Sequence, residues 1–195
     1  MSRIVVFNSV TLDGVMQAPG RADEDLRGGF KYGGWAAPYA DPGMGKAAGE
    51  SMATSGGLLL GRRTYEDFYK VWPNRTDNPF TEVLDNAPKY VASTTLKEPL
   101  PWMNSILLKG GVPRAVADLK AQSGKDIVVL GSGELLQTLM QYNLIDLYIL
   151  LIHPLILGSG TRLFREGDPV IKTRLLSSQT TSTGVVAATY QPLYE

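Results

Sequence analysis

The segment Asp126-Ile127-Val128-Val129-Leu130-Gly131-Ser132-Gly133, followed by Leu135, Leu136, Leu139 and Met140, constrains the fold more than any other stretch. A short, wholly apolar run has the length of a strand buried on both faces, and leucines three and four residues apart mark one face of a helix. The glycines between them leave room only for a tight turn. A strand that feeds a helix so directly makes a βα unit, and such units build parallel sheets covered by helices on both faces. Residues 126–130 are therefore expected to form an interior strand and residues 133–142 a helix.

The pattern recurs along the chain. Residues 3–11 read as a buried first strand closed by the turn Leu12-Asp13-Gly14, and Gly57 to Leu60 as another that passes through Gly61 into a helix at Arg62 to Phe68. Further strands are expected at Lys89–Thr94 and Ser105–Lys109, with helices around 79–86 and over Val112–Gln122. Two final strands, roughly 170–178 and 184–191, have no helix between them and must pair antiparallel. The expectation is a single α/β domain over 1–195, with a mainly parallel sheet and an antiparallel C-terminal end.

Composition narrows the chemistry. The chain has no cysteine and one histidine, His153, which excludes thiol nucleophiles and Cys-ligated metals and leaves any triad or two-histidine metal site to be built around that one residue, so no metal is expected. Lys and Arg total 19, as do Asp and Glu, so no net field draws the protein to nucleic acid or to an anionic membrane. No apolar run reaches the roughly 18 residues of a membrane span. A cytoplasmic protein acting on a small molecule is expected. The apolar run Leu147–Leu157 suggests pairing across a two-fold axis, hence a homodimer.

Three clusters carry candidate chemistry. Gly131-Ser132-Gly133-Glu134-Leu135 puts backbone N–H groups at a helix start, where a pyrophosphate can approach. Gly61-Arg62-Arg63-Thr64 places two cations on a helix's first turn, against the helix dipole, which points to an anionic ligand. Ser93 and Thr94 add hydroxyl donors at a strand end. Together they match a dinucleotide with a 2′-phosphate. The loop 15–45 combines glycines with Phe30, Tyr32, Trp35 and Tyr39, as expected of a pocket wall. From the aromatic residues, Trp35 and Tyr65 are taken as substrate contacts.

Thr11-Leu12-Asp13-Gly14, Leu59-Leu60-Gly61-Arg62-Arg63-Thr64-Tyr65-Glu66, Lys89-Tyr90-Val91-Ala92-Ser93-Thr94, Val129-Leu130-Gly131-Ser132-Gly133 and His153-Pro154-Leu155-Ile156-Leu157-Gly158-Ser159-Gly160 resemble, in order, the dihydrofolate reductase-like superfamily. The branch they resemble is the stand-alone relatives of the riboflavin-biosynthesis reductase (RibD C-terminal) domain. The resemblance implies a mixed sheet of about eight strands and an NADPH cofactor. It places Arg62, Arg63, Thr64, Ser93 and Thr94 near the adenosine ribose phosphate, Gly131 to Leu135 at the pyrophosphate, and Val10, Thr11 and Met16 beside the nicotinamide.

The implied activity is hydride transfer to a C=N or C=O of a small planar heterocycle, pterin- or pyrimidine-like. Two alternatives stay open: a non-catalytic nucleotide-binding protein of the same fold, and 5-amino-6-(5-phosphoribosylamino)uracil reductase. Against the latter, Leu130 stands where the riboflavin enzyme usually has a glutamate. Asp41 is the candidate proton donor and equally an N-cap before Pro42, with Glu50 a second carboxylate in the same segment.

Overall fold

The structure, a computed structural model, describes residues 1–41, 52, 55–76, 78, 80–122 and 124–194. The helix expected after Asp41 falls largely outside these residues, and Glu50 falls outside them.

A single eight-stranded sheet organises the chain. In chain order the elements are β1 (Ile4–Thr11), β2 (Gly57–Gly61), α1 (Arg62–Val71), α2 (Phe80–Asn86), β3 (Lys89–Ala92), β4 (Ser105–Leu107), α3 (Val112–Ala121), β5 (Ile127–Leu130), α4 (Gly133–Gln141), β6 (Leu147–His153), β7 (Lys172–Thr180) and β8 (Val186–Leu193). Across the sheet the order is β4-β3-β2-β5-β1-β6-β8-β7. All pairings from β4 to β6 are parallel, while β6–β8 and β8–β7 are antiparallel. The mixed sheet with an antiparallel end thus follows the sequence pattern, and residues 126–130 do lie at its centre, feeding a helix.

Strand alternation divides the core into two layers. Val129 and Leu59 face one side with Val6 and pack against Val116 and Leu119 of α3 and Leu136, Leu139 and Met140 of α4. Val128, Leu130, Leu58 and Leu60 face the other and pack with Tyr65 of α1, Leu84 of α2 and Trp102. The continuous apolar runs of β2 and β5 are explained by this, since both faces of these strands are covered.

The first part of the Leu147–Leu157 run forms β6, which lies between β1 and β8, and beyond it Ile156 is exposed. The edge on this side of the sheet is β7, every residue of which is exposed.

Chain order makes the site. The connection leaving β1 runs to β2 on one side and the one leaving β5 runs to β6 on the other, so the progression of strand order reverses between the parallel neighbours β5 and β1. A crevice opens there at the carboxyl ends of the strands.

Candidate functional site

The turn after β5 is held from three directions. Gly131 (φ +53°) and Ser132 (φ +57°) are both left-handed, and a Cβ on Gly131 would lie 3.1 Å from Thr64 Oγ1, so glycine is needed there. Asn8, buried in β1, accepts from Gly131 N–H at 2.7 Å and donates Nδ2 to Gly131 C=O at 3.2 Å. The Ser132 N–H donates to Thr64 Oγ1 at 2.9 Å. The Ser132 hydroxyl accepts from Gly61 N–H at 3.0 Å and donates to Leu130 C=O at 2.8 Å. The start of α4 is thereby locked to the start of α1.

Ser132 is thus engaged elsewhere and does not cap its helix. No side chain caps α1 at Gly61, α3 at Gly111 or α4 at Ser132, leaving first-turn N–H groups without side-chain acceptors at three helix ends. All three ends line one cleft of about 1340 Å³. That exceeds the roughly 300–1,000 Å³ of a pocket for a drug-sized ligand and has room for a dinucleotide with a second molecule. Each helix end carries partial positive charge, so the cleft suits an extended ligand with several anionic groups.

Side chains add to this field. Arg63 is exposed, and Arg62 pairs with Glu66 at 3.2 Å. Ser93 Oγ accepts from the N–H groups of Thr95 and Leu96 at 3.1 and 3.0 Å and lies 3.4 Å from the Thr95 hydroxyl. Residues 16–19, 21 and 23–27 supply another wall, where Arg21 pairs with Asp67 of α1 at 2.6 Å. Burial pushes the Glu24 carboxyl above its ordinary range, although it accepts from Gly20 N–H at 2.7 Å and Arg21 N–H at 3.1 Å, which works the other way.

The cleft gathers most of the residues singled out from sequence. Gly61, Arg62, Arg63, Thr64, Ser93, Thr94, Met16 and Gly131 through Leu135 all line it. Val10 and Thr11 do not: both are buried, and the β1 residues that reach the cleft are Phe7, Asn8 and Ser9. The Thr11 hydroxyl instead closes the turn, donating to Asp13 at 2.6 Å and accepting from Val15 N–H at 2.9 Å.

Trp35 and Tyr65, taken from the sequence as substrate contacts, do not line the cleft. Tyr65 is 1 % exposed in the core beneath α1, where its hydroxyl accepts from Trp102 N–H at 3.0 Å. Trp35 donates Nε1 to Gln17 C=O at 2.7 Å and packs with Val15, Ala18 and Phe30, its ring edge-on to buried His153. Phe30 and Trp35 are buried beneath the loop while Tyr32 is exposed, and the loop's polar segment faces the cleft. A loop needs an apolar underside of its own to hold a fixed shape, and that need has claimed Phe30 and Trp35. Asp41 does not line the cleft; its carboxylate accepts from the Ser182 hydroxyl at 2.7 Å at the tip of the β7–β8 hairpin.

Several cleft residues escaped the sequence reading. Asn8 had a detectable signal, a polar residue inside an apolar strand. Gln17 had none: its Oε1 accepts from Thr161 N–H at 2.8 Å while Nε2 donates to the carbonyls of Asp25 and Arg27 at 3.1 and 3.0 Å. It thus ties the 25–27 wall to the loop that follows β6. Arg27 and Arg165 also line the cleft, from loops whose course sequence does not give. Among the described residues no cluster of side chains suits a metal ion. No helix there is long and apolar enough to cross a membrane.

This sheet, with its cleft at the parallel strand ends, has the dihydrofolate reductase-like fold. The dihydrofolate reductase of Enterococcus faecalis, solved in complex with NADP(H) and RAB-propyl, superposes with a TM-score of 0.62 at 14% identity, over 98% of this chain and 97% of that one. Within that fold the chain belongs to the RibD C-terminal domain family, which matches residues 2–187. A putative riboflavin biosynthesis protein from Shewanella sp. PV-4 is 25% identical with a TM-score of 0.74, over 98% of this chain and 99% of that one. YyaP, an uncharacterized protein of Bacillus subtilis strain 168, is 29% identical over 194 residues, 96% of this chain and 94% of its own length.

Proposed function

We propose that the protein is an NADPH-dependent reductase that passes hydride to a C=N or C=O bond of a small planar heterocycle, pterin- or pyrimidine-like. The observation that carries this reading is the convergence of three uncapped helix starts on one cleft large enough for a dinucleotide and a second molecule. The NADP(H) bound by the Enterococcus reductase of the same fold supports the choice of cofactor.

The residues present fit such a group. Gly131 and Gly133 keep side chains out of the cradle, and Arg62, Arg63, Ser93 and Thr94 offer charged and hydroxyl donors to a 2′-phosphate. The nicotinamide, when bound, supplies the hydride; the protein's part is to orient it, exclude water and hold a proton. For that proton, the cleft position of Glu24 favours it over Asp41, whose carboxylate is engaged by the hairpin. Leu130, buried at the cleft floor, argues against 5-amino-6-(5-phosphoribosylamino)uracil as the substrate.

A homodimer belongs to the same proposal, with the fully exposed edge strand β7 rather than the interior β6 as the pairing surface, and sedimentation at micromolar concentration tests it. Engagement of Asp41 also favours a second reading, a nucleotide-binding protein without turnover. Titrating NADPH and NADH into wild type and Arg62→Ala, then following NADPH oxidation over a panel of pterins, pyrimidines and quinones, separates the readings. A charge-assisted bond to phosphate contributes roughly 1.5–3 kcal/mol, so NADPH should bind about one to two decades more tightly than NADH. Equal affinities in wild type remove the 2′-phosphate assignment, and stoichiometric binding without oxidation selects the second reading.

A further inference from the structure

The loop between β6 and β7 sends one guanidinium to the floor of the cleft. Arg165 Nη2 is 2.8 Å from Glu134 Oε1, and a Cβ built on Gly133 would lie 3.5 Å from the same nitrogen. Both charged groups therefore sit over the first turn of α4. The pair is a poor stabiliser of the fold: its side chains are 30% and 65% exposed, and exposed pairs are worth about 0–1 kcal/mol.

Its surroundings suit an anion better than they suit one glutamate. The Arg165 hydrogen bond, and then the charges of Arg165, Arg27 and Arg63, hold the Glu134 carboxyl below its ordinary range. The backbone of Arg165 is fixed by its N–H, which donates to Asp168 at 2.7 Å. That of Arg27 is fixed by its carbonyl, which accepts from Gln17. Arg165 thus contacts one carboxylate at an uncapped helix start, while the Arg27 guanidinium is engaged by Asp25.

We infer that Glu134 is an internal stand-in for the ligand's diphosphate, and that Arg165 moves its hydrogen bonds from Glu134 to the diphosphate when the dinucleotide binds. The inference rests on the dinucleotide reading above. A guanidinium fork fits a phosphate edge as well as a carboxylate, so the exchange gives up only an exposed pair. The consequence is selectivity: Arg165 acts on ligands that carry the diphosphate and is indifferent to those that carry the 2′-phosphate alone.

The test measures dissociation constants of NADPH and of adenosine 2′-monophosphate, by protein fluorescence or calorimetry, for wild type, Arg165→Gln, Glu134→Gln and the double variant. Arg165→Gln should weaken NADPH by about tenfold or more, the loss of one charge-assisted bond, and leave adenosine 2′-monophosphate unchanged. Glu134→Gln, at an exposed position that leaves the fold intact, should tighten NADPH several-fold. The double variant should bind NADPH better than Arg165→Gln, because the uncompensated carboxylate beside the diphosphate is gone. Unchanged NADPH affinity in Arg165→Gln, or an equal loss for both ligands, overturns the assignment and leaves the dinucleotide reading standing. A wild type that binds neither ligand removes both.

Discussion

Asn8 holds both polar groups of Gly131, accepting from its N–H at 2.7 Å and donating to its carbonyl at 3.2 Å, so the first strand fixes the turn after the fifth. The two strands are neighbours with Phe7 opposite Leu130, one residue short of this contact. The amide thus continues the sheet ladder past the point where the backbone turns away.

Replacing Asn8 by Ala should leave the Gly131 N–H and C=O short of partners in a part-buried place, at about 1–3 kcal/mol. Urea unfolding measures that loss. Dinucleotide affinity should fall beyond it, because the start of α4 loses its alignment; affinity unchanged at reduced stability limits Asn8 to a structural role.

Lys89 is fully buried, yet its ammonium donates to the carbonyls of Leu84, Asp85 and Ala87 at 2.6, 3.0 and 2.8 Å and lies 4.5 Å from the Trp102 ring centre. Three donors meet three carbonyls at the end of α2. Burial lowers its pKa to about 8, against the pull of Asp85, so it is charged at neutral pH. Lys89→Met keeps the apolar stem and strands the carbonyls. We expect a loss of about 3 kcal/mol in unfolding free energy, with ligand affinity unaffected in the folded fraction.

Asp13 accepts from the Thr11 hydroxyl and from the N–H groups of Leu157 and Gly158, which lower its pKa from 3.8 to about 2, with the Thr11 bond leading. A carboxyl lowered in the fold stabilises it above its unfolded value, and that contribution is lost as pH falls through the folded one. Wild type should therefore be more stable than Asp13→Asn at neutral pH, and the gap should close between about pH 4 and pH 2. A gap independent of pH shows that the charge contributes nothing.

If Glu24 holds the proton for reduction, Glu24→Gln should lower turnover by about a hundredfold or more while NADPH affinity changes little. Activity in wild type should decline as pH rises through the raised Glu24 value. Asp41→Asn should weaken the tie to Ser182, visible as a lower melting temperature at near-normal turnover. The opposite pair of results assigns the proton to Asp41.

Local periodicity determined much of this protein. Continuous apolar runs marked β2 and β5 as strands covered on both faces, and leucine spacing marked α4. Glycine marked the strand-to-helix turn after β5, because left-handed backbone at Gly131 is a local requirement visible in the residue type. Tertiary structure decided everything that depends on which distant group arrives at those turns. Ser132 serves Gly61 and Leu130 instead of its own helix, Gln17 joins two loops, and Arg165 reaches Glu134 from the far side of β6. The same applies to the aromatic residues: Trp35 and Tyr65 have identical prospects in sequence as ligand contacts or as core. Only the sheet and the underside of the loop, by burying them, select the second. Hydrophobic periodicity is read within a few residues of chain, whereas partners for buried polar groups come from segments that only the folded sheet brings together.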